Sequence, residues 1–118
     1  MMEKTKKVLW ISRHTMTPEQ RAALGEDVEI VQIDRTLQSA YEVKEEVEDA
    51  DVVAVVGPIG LQKQFLDIAG DRPVIIAKSD REVIPGKNKG EESQVVFHFV
   101  KWERLKKIVV EMEDYIPE

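Results

Sequence analysis

Short apolar runs alternate with segments of helical character along most of this chain of 118 residues. The runs have the length of strands, and they are Val8–Ile11, Val28–Ile33, Val52–Val56, Val74–Ala77 and Val95–Val100. Continuous apolar strands separated by helical crossovers are typical of parallel sheets that are covered on both faces. The pattern therefore predicts one α/β domain over residues 1–118, with a Rossmann-like, mostly parallel sheet and helices on both faces.

Three segments between these runs are predicted to be helices. The first is short: it starts with a capping box formed by Thr17 and Gln20 around Pro18, and it ends at Gly25. The other two have apolar residues at helical spacing, and they are expected at about 39–49 and 61–69.

The second half of the chain is less regular. Residues 79–93 are polar and contain Pro85, Gly86 and Gly90, so we expect a long loop there. Residues 102–114 fit both helical and strand spacing. The β-branched residues at 108–110 favour a final strand that forms an antiparallel hairpin with the fifth strand.

The composition excludes several classes of protein. A net charge of -6 opposes general binding to nucleic acid, so DNA is not an expected partner. The absence of cysteine excludes disulfides, zinc–thiolate sites and cysteine nucleophiles. The apolar run Val8–Ile11 is too short for a signal peptide or a membrane span, which predicts a cytoplasmic protein with no membrane partner.

The first strand ends abruptly in Ser12-Arg13-His14-Thr15 and is followed at once by a helix start. Ligands of open α/β sheets bind at the carboxyl ends of strands, and helix starts attract anions. Arg13 offers a donor fork for phosphate, His14 can transfer a proton near neutral pH, and Ser12 and Thr15 can bind phosphate or ribose. The alternative is that the hydroxyls satisfy backbone groups and Arg13 pairs with a carboxylate.

Residues after the other strands extend this candidate site. If the strands are ordered as expected, several cations gather around one crevice, namely Arg13, His14, Lys63, Lys78 and Arg81. Other candidate binding residues lie in the same turns, and they are Thr17, Asp34, Gly57, Pro58, Gly60 and Ser79. The alternative is that the cations are scattered and solvated, that Asp34 is a turn residue, and that the glycines form an ordinary strand-to-helix turn.

Several kinds of chemistry lack support in the sequence. Residues 12–17 contain no glycine, which argues against a nicotinamide or flavin cofactor, and no cofactor is expected. No histidine and carboxylate pair has metal-ligand spacing, and no Gly-x-Ser-x-Gly elbow is present. His98, between two phenylalanines, is predicted to be a packed core or edge residue.

The segment Trp10–Gln20 resembles the start of small stand-alone CRISPR-associated proteins with a Rossmann-like (CARF-type) fold, some of which are ring nucleases. This segment and the start of those proteins each consist of a strand, a Ser/Arg-His element and a helix that opens with a Thr-Pro-Glu-Gln-like sequence. The resemblance covers about a dozen residues in detail and only the topology elsewhere. An alternative is a protein of a mobile element that interacts with host defence.

The resemblance implies a homodimer whose two crevices meet at the two-fold axis and bind a cyclic oligoadenylate. It implies cleavage without a metal, by attack of a ribose 2′-hydroxyl on the adjacent phosphate. Ser12, Arg13 and His14 would be catalytic: Arg13 would neutralise charge, His14 would act as general acid or base, and Ser12 would position the ribose with Thr15. Backbone amides near Gly57 and after Thr17 would hold phosphates. A module that binds such a ligand without cutting it is the rival interpretation.

Overall fold

A computed structural model describes residues 5–87, 90–108 and 112–117 of the chain. Five strands form one sheet in the order β2-β1-β3-β4-β5, and the strands are β1 (Lys6–Ile11), β2 (Val28–Ile33), β3 (Val52–Val55), β4 (Val74–Ile84) and β5 (Gln94–Leu105). The first four run parallel, and β5 is antiparallel to β4. The helices are α1 (Pro18–Ala22), a 3₁₀ turn (Ala40–Val43) that leads into α2 (Lys44–Glu48), and α3 (Ile59–Ala69). The predicted α/β fold with a mostly parallel sheet is confirmed.

The sheet separates two apolar clusters. On one face, Leu9, Val53 and Val74 pack with Phe65 of α3 and with residues of the 3₁₀ turn and α2. The other face carries a smaller cluster that includes Trp10 and receives Trp102 of β5. Every residue of β3 is buried, as expected of a central strand with both faces covered.

The helix starts follow the sequence closely. Thr17 and Gln20 exchange side-chain to backbone hydrogen bonds of 3.1 and 3.0 Å, so the predicted capping box of α1 is confirmed. The second helix differs from the prediction, because residues 40–43 form a 3₁₀ turn and only Lys44–Glu48 are α-helical. The third begins at Ile59 and ends before Gly70, whose φ of 62° lies in the left-handed region.

Replacement of Thr17 by alanine is expected to lower the free energy of unfolding by about 1 kcal/mol, because the Gln20 amide loses its acceptor. Urea denaturation would measure this change. Thr15→Ala is the matched control, because Thr15 is an exposed threonine outside the capping box. Equal losses in both variants would contradict a capping contribution from Thr17.

The predicted loop over residues 79–93 is wrong at its start and right at its end. Strand β4 continues to Ile84 and β5 begins at Gln94, so the connection covers residues 85–93, of which 88 and 89 lie outside the described residues. A C-terminal antiparallel hairpin is present, and its strands are β4 and β5. Among the described residues no strand follows β5, so the predicted pairing of the fifth strand with a final strand is not observed there. Residues 106–108 and 112–117 are in no regular element, and residues 109–111 lie outside the described residues.

The two long strands form an arm that extends beyond the rest of the sheet. Only Val74 and Ile75 of β4 pair with β3, so the remainder of β4, Ile76–Ile84, pairs with β5 alone. At about 3.3 Å per residue this arm is roughly 30 Å long. The radius of gyration is accordingly 18.2 Å, whereas a compact chain of this length has about 13 Å.

Candidate functional site

A notch lies at the carboxyl ends of β2, β1 and β3, with a volume of about 180 Å³. Loops that follow these three strands form it, and the lining residues are Ile11, Ser12, Arg13, Arg35, Thr36, Leu37, Val56, Gly57, Pro58 and Leu61. The chain leaves β1 towards β2 on one side and later returns to form β3 on the other. The notch therefore lies at the topological switch point, where ligands of doubly wound sheets bind.

Hydrogen bonds fix the loop after β1. The Gln32 side-chain amide donates to the carbonyl oxygens of Ser12 and His14 at 2.9 and 3.1 Å, and Trp10 Nε1 donates to that of His14 at 2.8 Å. The Ser12 hydroxyl accepts the His14 amide at 3.0 Å. Residues of two strands thus hold this loop in one conformation before any ligand arrives, which reduces the ordering cost of binding.

Two arginines give the notch a positive charge. Arg13 is exposed, and within the described residues its guanidinium forms no ion pair. Arg35 Nη1 lies 3.3 Å from Glu42 Oε1, with both side chains partly exposed. A free guanidinium at a concave surface is suited to bidentate binding of phosphate oxygens.

The start of α3 forms one wall of the notch. Pro58 occupies the N-cap position and supplies no side-chain hydrogen bond, so the first amides of α3 have no side-chain acceptor there. A Cβ atom on Gly57 would lie 3.0 Å from Leu61 Cδ2, so only glycine fits this turn without a shift of Leu61. The start of α3 therefore lies beside Arg13 at one concavity, a position that favours an anion.

The structure brings together some of the predicted site residues and separates the others. Ser12, Arg13, Gly57 and Pro58 line the notch. The remaining predicted residues do not line it, and they are His14, Thr15, Thr17, Asp34, Gly60, Lys63, Lys78, Ser79 and Arg81. The turns after β1 and β3 therefore converge as expected, whereas Lys78 and Arg81, which lie within β4, do not reach the same concavity.

Each residue outside the notch has an observed place. Thr17 caps α1, and Gly60 and Lys63 lie exposed on α3. Lys78, Ser79 and Arg81 lie on the arm, where Lys78 is opposite Lys101 beside a β-bulge. His14, Thr15 and Asp34 are exposed in the loops after β1 and β2.

His98 lies at the edge of the sheet rather than in the core. Its Nε2 is 2.6 Å from Glu82 Oε2 across the arm, and both side chains are more than half exposed. The prediction of a packed core or edge residue is confirmed as an edge position, because β5 is the last strand of the sheet.

Arg35, Thr36 and Leu37 line the notch and were not predicted as site residues. The signal was present: Arg35 follows β2 almost directly, and β2 is the neighbour of β1 in a doubly wound sheet. Arg35 is thus a cation at a strand end, as Arg13 is.

Comparison with known proteins identifies no relative: no protein-family model, no curated protein and no solved structure matches the chain. The resemblance of Trp10–Gln20 to CARF-type proteins therefore depends on those residues alone.

A second hollow, of about 610 Å³, is less suited to an anion. It lies at the opposite rim and is lined by Glu48, Asp49, Asp51 and Asp71 together with Arg72. The Arg72 guanidinium already donates to three backbone carbonyls, at 2.7 to 3.2 Å. Four carboxylates repel phosphate, so we regard the smaller notch as the candidate site.

The described part of the chain shows neither a metal-binding cluster nor a membrane-spanning helix. No group of three or more histidine, aspartate or glutamate side chains is placed there to hold a metal ion. No helix there combines the length and the apolar character needed to cross a membrane.

The carboxylate of Glu42, which pairs with Arg35 at the notch, makes the stability of the fold depend on pH. Amide donors of Ser39 and Gln38, and then the Arg35 guanidinium, hold the pKa of Glu42 below its ordinary value of 4.5. Because the folded pKa is the lower one, the ionised form stabilises the fold above the unfolded pKa, and this contribution is lost as the pH falls through the folded value.

The pH dependence of stability should therefore change in Glu42→Gln. From neutral pH to below 4.5, the free energy of unfolding should fall less in Glu42→Gln than in the native chain. Urea denaturation at several pH values measures this difference. Glu46→Gln, at an exposed position of α2, serves as the control, and an identical pH slope in the native chain and Glu42→Gln would contradict the prediction.

Proposed function

We propose that the notch binds a phosphate group of a nucleotide and that the ligand is a cyclic oligoadenylate. The observation that carries this proposal is the Arg13 guanidinium, which forms no ion pair within the described part of the chain. It lies in a concavity at the switch point of the sheet, beside the start of α3. The resemblance of Trp10–Gln20 to CARF-type proteins supports the choice of ligand. A cytoplasmic homodimer, which the resemblance also implies, is part of the proposal.

The size of the notch limits what it encloses. Sites for drug-sized ligands have about 300–1,000 Å³, whereas the notch has about 180 Å³. It therefore holds one phosphate with the adjoining sugar edge, and the bases remain outside. Val56 and Ile59 are 49% and 65% exposed at its border, and they offer an apolar surface for a base.

Cleavage would proceed by in-line attack of a ribose 2′-oxygen on the neighbouring phosphorus. The new P–O2′ bond forms as the P–O5′ bond breaks, which leaves a 2′,3′-cyclic phosphate and a 5′-hydroxyl. The proton of the 2′-hydroxyl passes to a general base. The leaving 5′-oxygen receives a proton from a general acid. Arg13 would stabilise the charge that develops on the phosphate, and Ser12 would contact the ribose.

Binding without cleavage is the second candidate function, and the position of His14 favours it. His14 is the expected general acid or base, yet it does not line the notch. Its carbonyl is held by Trp10, which packs in the apolar cluster on the face opposite Phe65. A notch that holds phosphate without a proton-transfer group would retain the ligand intact.

Incubation of the metal-free protein with cyclic and linear oligoadenylates tests both candidates. Calorimetry measures binding, and mass spectrometry identifies products. A cyclic-phosphate product supports the nuclease, and saturable binding without a product supports the binding module. The absence of both binding and products would overturn the proposal.

A further inference from the structure

Strand β5 is an edge strand with a long apolar segment. It has β4 as its single neighbour in the described sheet, so the backbone groups along its other side make no ladder hydrogen bonds there. Three apolar side chains of β5 are strongly exposed: Val95 at 45%, Phe97 at 68% and Val100 at 46%. Such an edge offers a template for pairing with another strand.

Charged residues protect the opposite edge of the sheet against the addition of a strand, whereas the segment Gln94–Val100 of β5 lacks them. Strand β2 carries Glu29 at an exposed position and is flanked by Asp27 and Asp34, and charges of this kind oppose strand addition. The seven residues of Gln94–Val100 contain no proline and no lysine, arginine or carboxylate. Their one titratable group, His98, is already paired with Glu82 of the same arm.

Three apolar side chains of this segment, Val95, Phe97 and Phe99, share one face of the sheet. Phe99 lies 5.5 Å from Trp102, ring centre to ring centre, and Trp102 packs against Trp10 at 5.8 Å. Because side chains alternate along a strand, Val95 and Phe97 lie on the same face as Phe99. An apolar stripe thus runs from the buried cluster out along the arm.

We propose that β5 pairs antiparallel with β5 of a second copy of this chain, around a two-fold axis at Phe97. This register is self-complementary: Phe97 faces its own copy, Val95 faces Phe99, and Val96 faces His98. No two like charges meet within Gln94–Val100. The bulge opposite Lys78/Ser79 and the charge of Lys101 end the pairing at the base of the arm.

This contact does not depend on the proposed function of the notch. Strand β1 lies three positions from β5, so the two copies of β1 in the paired sheet are seven strand spacings apart, or roughly 33 Å at 4.7–4.9 Å each. Both notches stay open and far apart. No ligand takes part in this contact, so we expect it in the ligand-free protein. It differs in this respect from a contact in which one cyclic oligoadenylate joins two notches.

The mass of the ligand-free protein in solution tests the inference. Light scattering after size exclusion should give a dimer for the native chain and a monomer for Phe97→Lys, because a charge is placed against its own copy. Tyr41→Lys is the matched control, since Tyr41 is 58% exposed on the 3₁₀ turn, and it should remain a dimer. A monomeric native chain, or a dimeric Phe97→Lys, would overturn the proposal.

A cross-link tests the register without depending on a disruptive charge. The chain has no cysteine, so Phe97→Cys carries a single thiol. Opposite residues of an antiparallel pair have Cα atoms about 4.5–5.5 Å apart, within the reach of a disulfide. Diamide should convert Phe97→Cys to a covalent dimer and leave Tyr41→Cys monomeric under denaturing electrophoresis. Equal cross-linking of both variants, or of neither, would refute the register.

Discussion

Replacement of Arg13 by alanine is expected to weaken binding of cyclic oligoadenylate by about tenfold to a hundredfold. Arg13 is the notch cation without an ion-pair partner in the described structure, so its loss removes charge-assisted hydrogen bonds to the phosphate. The other notch cation, Arg35, is already paired with Glu42. Hydrogen bonds to charged groups contribute about 1.5–3 kcal/mol each, and 1.4 kcal/mol corresponds to a factor of ten in affinity. If the ligand is cleaved, the rate should fall by about a hundredfold or more, because the phosphate charge is no longer stabilised.

Isothermal titration of the native chain and Arg13→Ala measures the effect. Lys63→Ala is the matched control, because Lys63 is an exposed cation on α3 that does not line the notch. The two variants have the same net charge, so a difference between them reports position rather than overall electrostatics. Equal weakening in both would contradict a specific role for Arg13.

His14→Ala separates the two candidate functions. If His14 is the general acid or base, cleavage should fall by about a hundredfold while binding changes little. Product analysis and titration on the same variant measure both quantities. Unchanged cleavage would remove His14 from the mechanism, and any nuclease activity would then require another proton carrier.

The sequence predicts the central strands and helix starts well because these depend on neighbouring residues. The continuous apolar runs of β1 and β3 require burial on both faces, which in turn requires a parallel sheet with helical crossovers. The capping box of Thr17 and Gln20 depends on a spacing of three residues and needs no tertiary contact.

The arm could not be predicted in the same way. Asp80, Arg81 and Glu82 give this part of β4 the composition of a loop, and such residues favour a strand only when a partner strand is present. That partner lies more than ten residues further along the chain. Pairing between distant segments overrides local preference here, and it extends both strands beyond the helical layers.

The same distinction applies to the candidate site. The turns after β1 and β3 meet because adjacent parallel strands end at one edge, which topology alone predicts. Lys78 and Arg81 follow the same logic only if β4 ends at that edge. Because β4 instead continues into the arm, these cations are carried away from the notch.

Phe65→Ala is expected to cause the largest loss of stability, about 3–5 kcal/mol in the free energy of unfolding. Phe65 is fully buried on α3, among Leu9, Val43, Val53 and other members of the larger cluster, so truncation leaves a cavity between helix and sheet. The free energy of unfolding of domains of this size is about 5–15 kcal/mol in total. A large part of the Phe65→Ala molecules would therefore unfold under mild denaturant.

The loss of Phe65 should also change the shape of the notch, because α3 forms one of its walls. That wall begins at Pro58 and includes Leu61. Urea denaturation measures the loss of stability, and Phe65→Leu is the control, since it keeps most of the apolar volume and should lose much less. Titration of folded Phe65→Ala should show weaker ligand binding with Arg13 intact. A loss below about 1 kcal/mol, which is the ordinary effect of a substitution, would mean that α3 does not depend on Phe65 for its position against the sheet.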